Sequence, residues 1–431
     1  MTFRTALSGL NAASTHLDVT AHNIANVNTA GFKSSRILFS DVYATAANDL
    51  SSTSTGSGVQ ISSISQKFGQ GNIDFTNNNL DMAISGEGFF VMKGREGIVY
   101  SRAGAFSVDR EGYVVNDDSQ RLQVYPVSET GDFATGALSD LRLLTTESPP
   151  QATGSVDIGV NLPANASVPG TTDSNGFTAY AFDATNPATY NHATSMTVYD
   201  SLGTPHTATV YFVKMQADAA ATPPVAENTW TQRLFIDGTE RGTPQVMSFD
   251  SATGKLRVGQ GGVDLSGSLP TVTVTGAELG TGASNMSLSF NYIESTQYGQ
   301  QFGVNSLFQD GYTTGRMTGI EVDNSGVVSA RFTNGQLKLL GQVAIAIFSN
   351  PHGLQQMGET QWAETYTSGG PRLGQAGTSN FGLVQAGALE ASNVDLTEQL
   401  VEMITAQRNF QANAQMISTA DQLTQTIINL R

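Results

Sequence analysis

Residues 3–24 read FRTALSGLNAASTHLDVTAHNI, and the spacing of their apolar members decides how the chain begins. Phe3, Leu7, Leu10, Ser14, Leu17, Ala21 and Ile24 recur at intervals of 4-3-4-3-4-3. That spacing lays one narrow stripe along a helix, with small residues at Ser14 and Ala21. Asn11, Thr15, Asp18, His22 and Asn26 cover the other faces. The helical pattern stops at Asn28-Thr-Ala-Gly31, where glycine gives the chain an easy exit.

The far end of the chain repeats the design. Leu396, Leu400, Met403, Gln407, Phe410, Ala414 and Ile417 follow the same intervals, and the stripe then shifts by one residue onto Ala420, Leu423, Ile427 and Leu430. A heptad break of this kind alters the local winding without ending the helix. Ser392-Asn-Val-Asp395 reads as a capping box in front of the run. Two matched stripes at the termini can dock on the body of their own domain, pair as a coiled coil, or pack beside copies from other subunits. Their narrowness and terminal position favour pairing. Isolated helices are marginal in water, so the ends are expected to be largely unfolded in the monomer and to order on assembly.

Between the helices the pattern is β. Residues 32–71, with Ser51-Ser-Thr-Ser-Thr-Gly-Ser-Gly58, are low in charge and read as extended linker, as do residues 369–387. Short strands punctuated by glycine follow, such as Phe89-Phe-Val-Met-Lys93 and Gly97-Ile-Val-Tyr100. Residues 194–213 carry two strands about a Ser-Leu-Gly-Thr-Pro turn and predict a β-hairpin. Met286, Leu288, Phe290 and Tyr292 alternate with polar residues, predicting a strand buried on one face. Ile320-Glu-Val322 and Val327-Val-Ser-Ala-Arg331 flank a second hairpin turn, and Val343-Ala-Ile-Ala-Ile-Phe348 reads as a strand buried on both faces. The expected fold is mostly β with long α-helical termini in nested layers. Residues 1–31 with 388–431 make a terminal helical assembly domain, 72–145 with 293–368 an inner β-domain, and 146–292 an inserted outer β-domain.

The bulk properties narrow the function. The formal net charge of -16 argues against nucleic acid or an anionic membrane as partner, both of which attract basic surfaces. Only 13% of residues are charged, so extensive packing against other polypeptide desolvates few charges. The chain has no cysteine, which excludes disulfides, thiolate catalysis and a cysteine zinc site. No stretch approaches the roughly 18 apolar residues of a membrane span, and the first residues lack the h-region of a cleaved secretory signal. His16 and His22 lie six apart on different helix faces, unlike the i, i+4 pair of a helical metal site. Neither a nucleophile elbow nor a complete phosphate or calcium loop occurs. No catalytic, cofactor or metal residues are nominated.

Several motifs together resemble the flagellar rod and hook family of axial proteins. Ser8-Gly-Leu-Asn-Ala-Ala13, His22-Asn-Ile-Ala-Asn26 and Thr29-Ala-Gly-Phe-Lys33 are similar to its N-terminal signature. Residues 71–84, Gly88-Phe-Phe-Val91 and Tyr100-Ser-Arg-Ala-Gly-Ala-Phe106 are similar to the start of its inner β-domain. Gly387-Ala-Leu-Glu-Ala-Ser-Asn-Val-Asp-Leu396 and Ala406-Gln-Arg-Asn-Phe410 are similar to its C-terminal signature. The outer β-domain resembles the hook members more than the shorter distal rod subunits.

The resemblance implies a structural subunit without catalysis or cofactor. It implies export through the flagellar type III apparatus without signal cleavage, and homopolymerisation outside the cell into a curved tube that acts as a universal joint. Distal rod protein, hook cap and hook–filament junction proteins are the implied partners. Under that reading Phe3, Leu7, Leu10, Leu17 and Ile24 pack against Leu396, Leu400, Met403, Phe410 and Ile417, with Leu423 and Ile427 extending the self-assembly seam. A distal rod subunit, an adhesin-like β-module with helical ends, and a polysaccharide-processing enzyme stay open as alternatives.

Overall fold

The structure, a computed structural model, describes residues 2–42, 56–128, 130–143, 147–172, 178–179, 182–217, 227–259 and 267–429. It divides into two compact units. Residues 1–145, 318–331 and 337–431 form the first, and 146–317 with 332–336 form the second.

The first unit holds both helices, Thr2–Ala25 and Leu396–Asn429, and a sheet built from both halves of the chain. Its strands run in the order Met317–Val322, Val327–Phe332, Leu337–Ile347, Arg121–Tyr125, Phe89–Lys93, Ile98–Ser101, Gln361–Ala363 and Gln355–Gly358. Alternation along these strands separates two cores. Phe90, Met92, Leu122, Val124, Val343 and Ile345 pack on one face; Phe89, Val91, Tyr125, Ala344, Ala346 and Trp362 pack on the other. A sheet covered on both sides explains why Val343–Phe348 is continuously apolar and buried throughout. The turn expected between Val322 and Val327 also forms. Asp323 Oδ1 accepts the Val327 N–H at 2.9 Å, and Gly326 takes φ +75°, which glycine adopts without strain.

The second unit is a sandwich of two four-stranded sheets. One runs Val272–Val274, Met286–Asn291, Ser155–Asn161, Gly303–Gln309; the other is the meander His192–Tyr199, Pro205–Lys214, Thr229–Ile236, Thr239–Ser248. Their inner faces share one core, including Val156, Ile158, Phe212, Trp230, Leu288 and Phe290. The hairpin expected over 194–213 is present as His192–Tyr199 against Pro205–Lys214. Asp200 Oδ1 fixes its turn by accepting the N–H groups of Leu202 at 2.9 Å and Thr204 at 2.8 Å. Met286–Asn291 buries alternate residues, as its sequence pattern requires.

Three expectations need correction. The stretch read as linker over 32–71 contains an antiparallel hairpin, Ser35–Asp41 with Val59–Gln66, whose register pairs Ile37 with Ile64 and Phe39 with Ile61. Low charge and abundant Ser and Thr concealed these cross-strand apolar pairs, which stabilise a sheet whatever surrounds them; residues 43–55 between them lie outside the described residues. Likewise residues 369–387 are not plain linker, because Arg372–Gln375 pairs with Leu337–Ile347 and Leu383–Ala386 with Met82–Ser85. Third, the outer domain does not close at 292. Strand Gly303–Gln309 pairs antiparallel with Ser155–Asn161, so it belongs to the second unit.

Candidate assembly interface

The two terminal helices lie side by side and run antiparallel. Asn23 Nδ2 donates to Gln399 Oε1 at 2.9 Å near one end, while Gly9 faces Asn413 near the other. The most buried residues of the two helices are small or polar. Ala6, Ala12, Ala13, Thr20 and Asn23 are buried on the N-terminal helix, Gln399 and Ala406 on the C-terminal one. A Cβ added at Gly9 would sit 2.6 Å from Asn413 Oδ1, so the Asn413 amide packs into the space that glycine leaves open.

The large apolar residues expected at this seam divide into an exposed and a half-buried set. Phe3, Leu7, Leu396 and Leu400 are exposed by 52, 42, 45 and 44%, and Leu423 by 60%. Leu10, Leu17, Ile24, Met403, Phe410 and Ile417 are half-buried. The side chain of Ile427 lies outside the described residues. The expected stripe is therefore narrowed: Phe3, Leu7, Leu396, Leu400 and Leu423 face outward, while the half-buried residues lie at helical spacing from the buried Ala6, Ala13 and Ala406. The cap also moves. Asp395, not Ser392, holds the first turn, its Oδ1 accepting the N–H groups of Thr397 at 2.8 Å and Glu398 at 3.1 Å.

The hairpin Ser35–Gln66 lies along the N-terminal helix. Asn23 closes both polar groups of Ser35, accepting its N–H at 2.9 Å and donating to its carbonyl at 2.8 Å. His16 stands edge-on to Phe39, with 5.9 Å between ring centres, and the Val59 N–H reaches Ser8 Oγ at 3.3 Å.

Beneath the helices three distant segments converge on one buried carboxylate. Glu390 Oε1 accepts from Lys33 Nζ at 2.5 Å and from the Gly71 N–H at 2.9 Å. Its Oε2 accepts from Arg102 Nη1 at 3.1 Å, and its carbonyl takes the Gly31 N–H at 2.7 Å. Lys33 also donates to the Gly69 carbonyl, and Arg102 to the carbonyls of Ile84 and Gly86. All three charged side chains are shut away from solvent. Burial pushes Lys33 and Arg102 below their ordinary values, opposed by the charge of Glu390. Gly31, at φ +71°, leaves no room for a side chain, since a Cβ there would lie 2.4 Å from the Ala103 nitrogen. Asn393 adds a polar stitch, accepting the Ser34 N–H and donating to the carbonyls of Lys67 and Gly69.

Thr29–Lys33, Tyr100–Phe106 and Gly387–Leu396 were singled out as sequence motifs, but nothing in their spacing showed that their charges meet. Matching one buried Glu to a Lys 357 positions away and an Arg 288 positions away requires the fold.

A second cluster of titratable side chains, also unforeseen, lies in the second unit, with His206 and Asp200 buried and Asp237 half exposed. His206 Nδ1 is 2.6 Å from Asp237 Oδ2, and its Nε2 is 3.4 Å from Asp200 Oδ2. Asp200 also accepts the Thr281 hydroxyl at 2.8 Å, so its oxygens are held by turn and side-chain donors. Among the described residues no group of His, Asp and Glu has the arrangement of a metal site, and no helix is long and apolar enough to cross a membrane.

Comparison with known proteins places this architecture. Residues 3–33 match the family model described as flagella basal body rod protein, and residues 83–176 the flagellar hook protein FlgE/F/G D1 domain. Residues 161–312 match the flagellar basal body protein FlaE D2 domain, and 385–430 the C-terminal region of flagellar basal body rod FlgEFG proteins. The flagellar hook protein FlgE of Salmonella typhimurium is 37% identical over 437 residues, covering 100% of both chains. The hook protein FlgE of Borreliella burgdorferi is 31% identical over 99% of this chain and 98% of its own. In fold, the crystal structure of flagellar hook protein FlgE2 from Helicobacter pylori superposes with a TM-score of 0.54 at 16% identity, over 74% of this chain and 100% of that one. With close relatives matched from end to end, the chain belongs to the flagellar hook protein FlgE family, a family of structural proteins and not of enzymes.

Proposed function

We propose that this chain is the repeating subunit of the flagellar hook, and that its two terminal helices are the elements through which copies polymerise. The observation that carries the reading is the outward placement of Phe3, Leu7, Leu396, Leu400 and Leu423 beside a seam whose most buried residues are small or polar. Each such side chain, once covered by a neighbouring copy, contributes about 1.5–3 kcal/mol. The 3-4 spacing of Ala6, Gly9, Ala13, Thr20 and Asn23 supports a coiled-coil geometry for the intrachain pair. Copies stacked on these stripes form an inner sleeve, with the β-units outside it.

The same reading supplies the remaining roles. The polymer is a curved, flexible tube that transmits torque from rod to filament. Its ends meet the distal rod protein, the hook cap and the hook–filament junction proteins, and its subunits leave the cell through the flagellar type III apparatus without losing a signal peptide. Bending draws on many weak contacts between copies, which the low charge of the chain makes inexpensive to exchange.

Negative-stain electron microscopy of the purified chain at high salt tests this, beside Leu400→Arg. Curved tubes from the wild type and none from the variant, with its tryptophan fluorescence unchanged, is the expected result. Straight tubes favour a distal rod subunit. Normal tubes from Leu400→Arg remove the helical stripes from the interface.

A further inference from the structure

Cations are scarce in this chain, 21 Lys and Arg against 37 Asp and Glu. Arg102, Arg121, Arg233, Arg241, Arg316 and Arg331 each pair with a carboxylate. Arg95 and Arg110 are among those that do not: both are exposed, without an ion pair among the described residues, and they line one concave surface of the first unit beside Asp109 and beside Glu111 and Asp140, which are held by Arg121 and Lys93. Arg95 stands in the turn between Phe89–Lys93 and Ile98–Ser101, two positions before Gly97 and the exposed Ile98; Val108, also exposed, precedes Arg110 by two.

The second unit carries the opposite surface. Strand Gly303–Gln309 is the edge of its sheet, paired only with Ser155–Asn161. Phe308 is 65% exposed and Leu307 41%. An open edge bearing apolar side chains invites association unless something covers it. Phe308, Ile293 and Ile158 wall a groove of about 280 Å³ whose rim holds Asp157 and Glu294. Neither carboxylate has an ion pair among the described residues; Glu294 accepts the Ser306 hydroxyl at 3.1 Å.

We propose that this acidic, apolar groove docks the Arg95–Arg110 face of a second copy of the chain. The inference rests on the assembly reading above and gives it a second contact, remote in sequence from the helices. Copies that each carry a net charge of -16 repel, so close approach needs local pairs of opposite charge, and the unpaired Arg95 and Arg110 on one surface and Asp157 and Glu294 on the other supply them. A guanidinium can lie over the Phe308 ring while its edge meets Asp157 or Glu294, a combination an ammonium matches poorly. The two surfaces differ, so the contact is heterologous and head-to-tail. Such contacts propagate into open helical polymers instead of closing as dimers.

Charge exchange in the full-length chain tests the pairing, read as the critical concentration for polymerisation in sedimentation. R95E/R110E and D157R/E294R are each expected to raise it about tenfold, and all four changes together to return it to within about threefold of wild type. All four residues are exposed, and far-UV circular dichroism checks that each variant folds. Should a reversal fail that check, the neutral set R95Q, E294Q and both together measures the same coupling. Unchanged critical concentrations, or no rescue in the combined variant, overturn the pairing. If they occur while Leu400→Arg still blocks assembly, the helical reading survives without it. A wild-type chain that never polymerises overturns both.

Discussion

The sandwich of the second unit and the helical pair of the first are held together in opposite ways. In the sandwich, Trp230, Phe212, Phe290 and Tyr292 sit in a single core with the aliphatic residues of both sheets. In the helical pair the most buried apolar residues are alanines, Ala6, Ala12, Ala13 and Ala406, beside Thr20, Asn23 and Gln399. A buried methyl contributes a fraction of what a buried Leu or Phe does. The core of the sandwich therefore closes within one chain, while the helices leave Phe3, Leu7, Leu396, Leu400 and Leu423 exposed. One region is built to be folded alone and the other to be finished by something else.

The first unit also holds the Glu390 joint, and breaking it is expected to have the largest effect. Glu390→Ala leaves Lys33 and Arg102 buried without a counter-charge, and a buried pair broken on one side costs about 3–5 kcal/mol. Trp362 lies in the first unit and Trp230 in the second, so single-tryptophan backgrounds report each separately. The urea midpoint read by Trp362 should fall sharply while that read by Trp230 holds. Equal falls at both would erase the distinction between the two regions.

Ala13→Leu is next. It forces a larger side chain into the tight helical seam, and overpacking of this kind costs about 1–3 kcal/mol. Faster amide exchange confined to Thr2–Ala25 and Leu396–Asn429 is the expected signature. Unaltered protection would mean that the seam is looser than its small residues imply.

Acid sharpens the same contrast from the sandwich side. Burial pushes the Asp200 carboxyl up, but the Thr204 N–H, the Thr281 hydroxyl, the Leu202 N–H and His206 together pull it below its ordinary value. Asp237 is lowered as well, with burial opposed by His206 and the Thr207 N–H. A carboxyl that binds its proton more weakly when folded stabilises above its unfolded pKa of about 3.9, and that contribution disappears as pH falls through the lower folded value. The Trp230 urea midpoint should therefore drop as pH falls below about 4, and Asp200→Asn should flatten that dependence. An equal slope in the variant would dismiss the cluster as its source.

How legible this was in the sequence follows from range. Both helices, the hairpin through Gly203 and the doubly buried strand Val343–Phe348 are local patterns of period or alternation, and they form where those patterns lie. The hairpin Ser35–Gln66 was missed because its Ser and Thr content imitates a linker, although Ile37, Phe39, Ile61 and Ile64 were there to be paired. Strand Gly303–Gln309 shows no alternation, because both faces of an open edge are exposed. The Lys33–Glu390–Arg102 contact joins residues far apart in the chain, and no local pattern encodes it. The helical stripe divides in a more instructive way: Leu10, Leu17, Met403 and Phe410 are half-buried, Phe3, Leu7, Leu396 and Leu400 are exposed, and the most buried positions are small ones such as Ala6, Ala13 and Ala406.

That last point yields the smallest predicted effect. If the exposed part of the stripe lies outside the intrachain seam, Leu7→Ser should change the stability of the monomer by no more than about 0.5 kcal/mol, as surface substitutions do. The same chain should lose most of its polymer, because the side chain removed belongs to the surface that a neighbour covers. A monomer weakened by several kcal/mol would return Leu7 to the seam and reverse the assignment of the two helix faces. A stable monomer that still polymerises normally would leave the exposed stripe without a role. Only stability kept and assembly lost together fit a helix that spends its small residues on its own chain and reserves its large ones for the next.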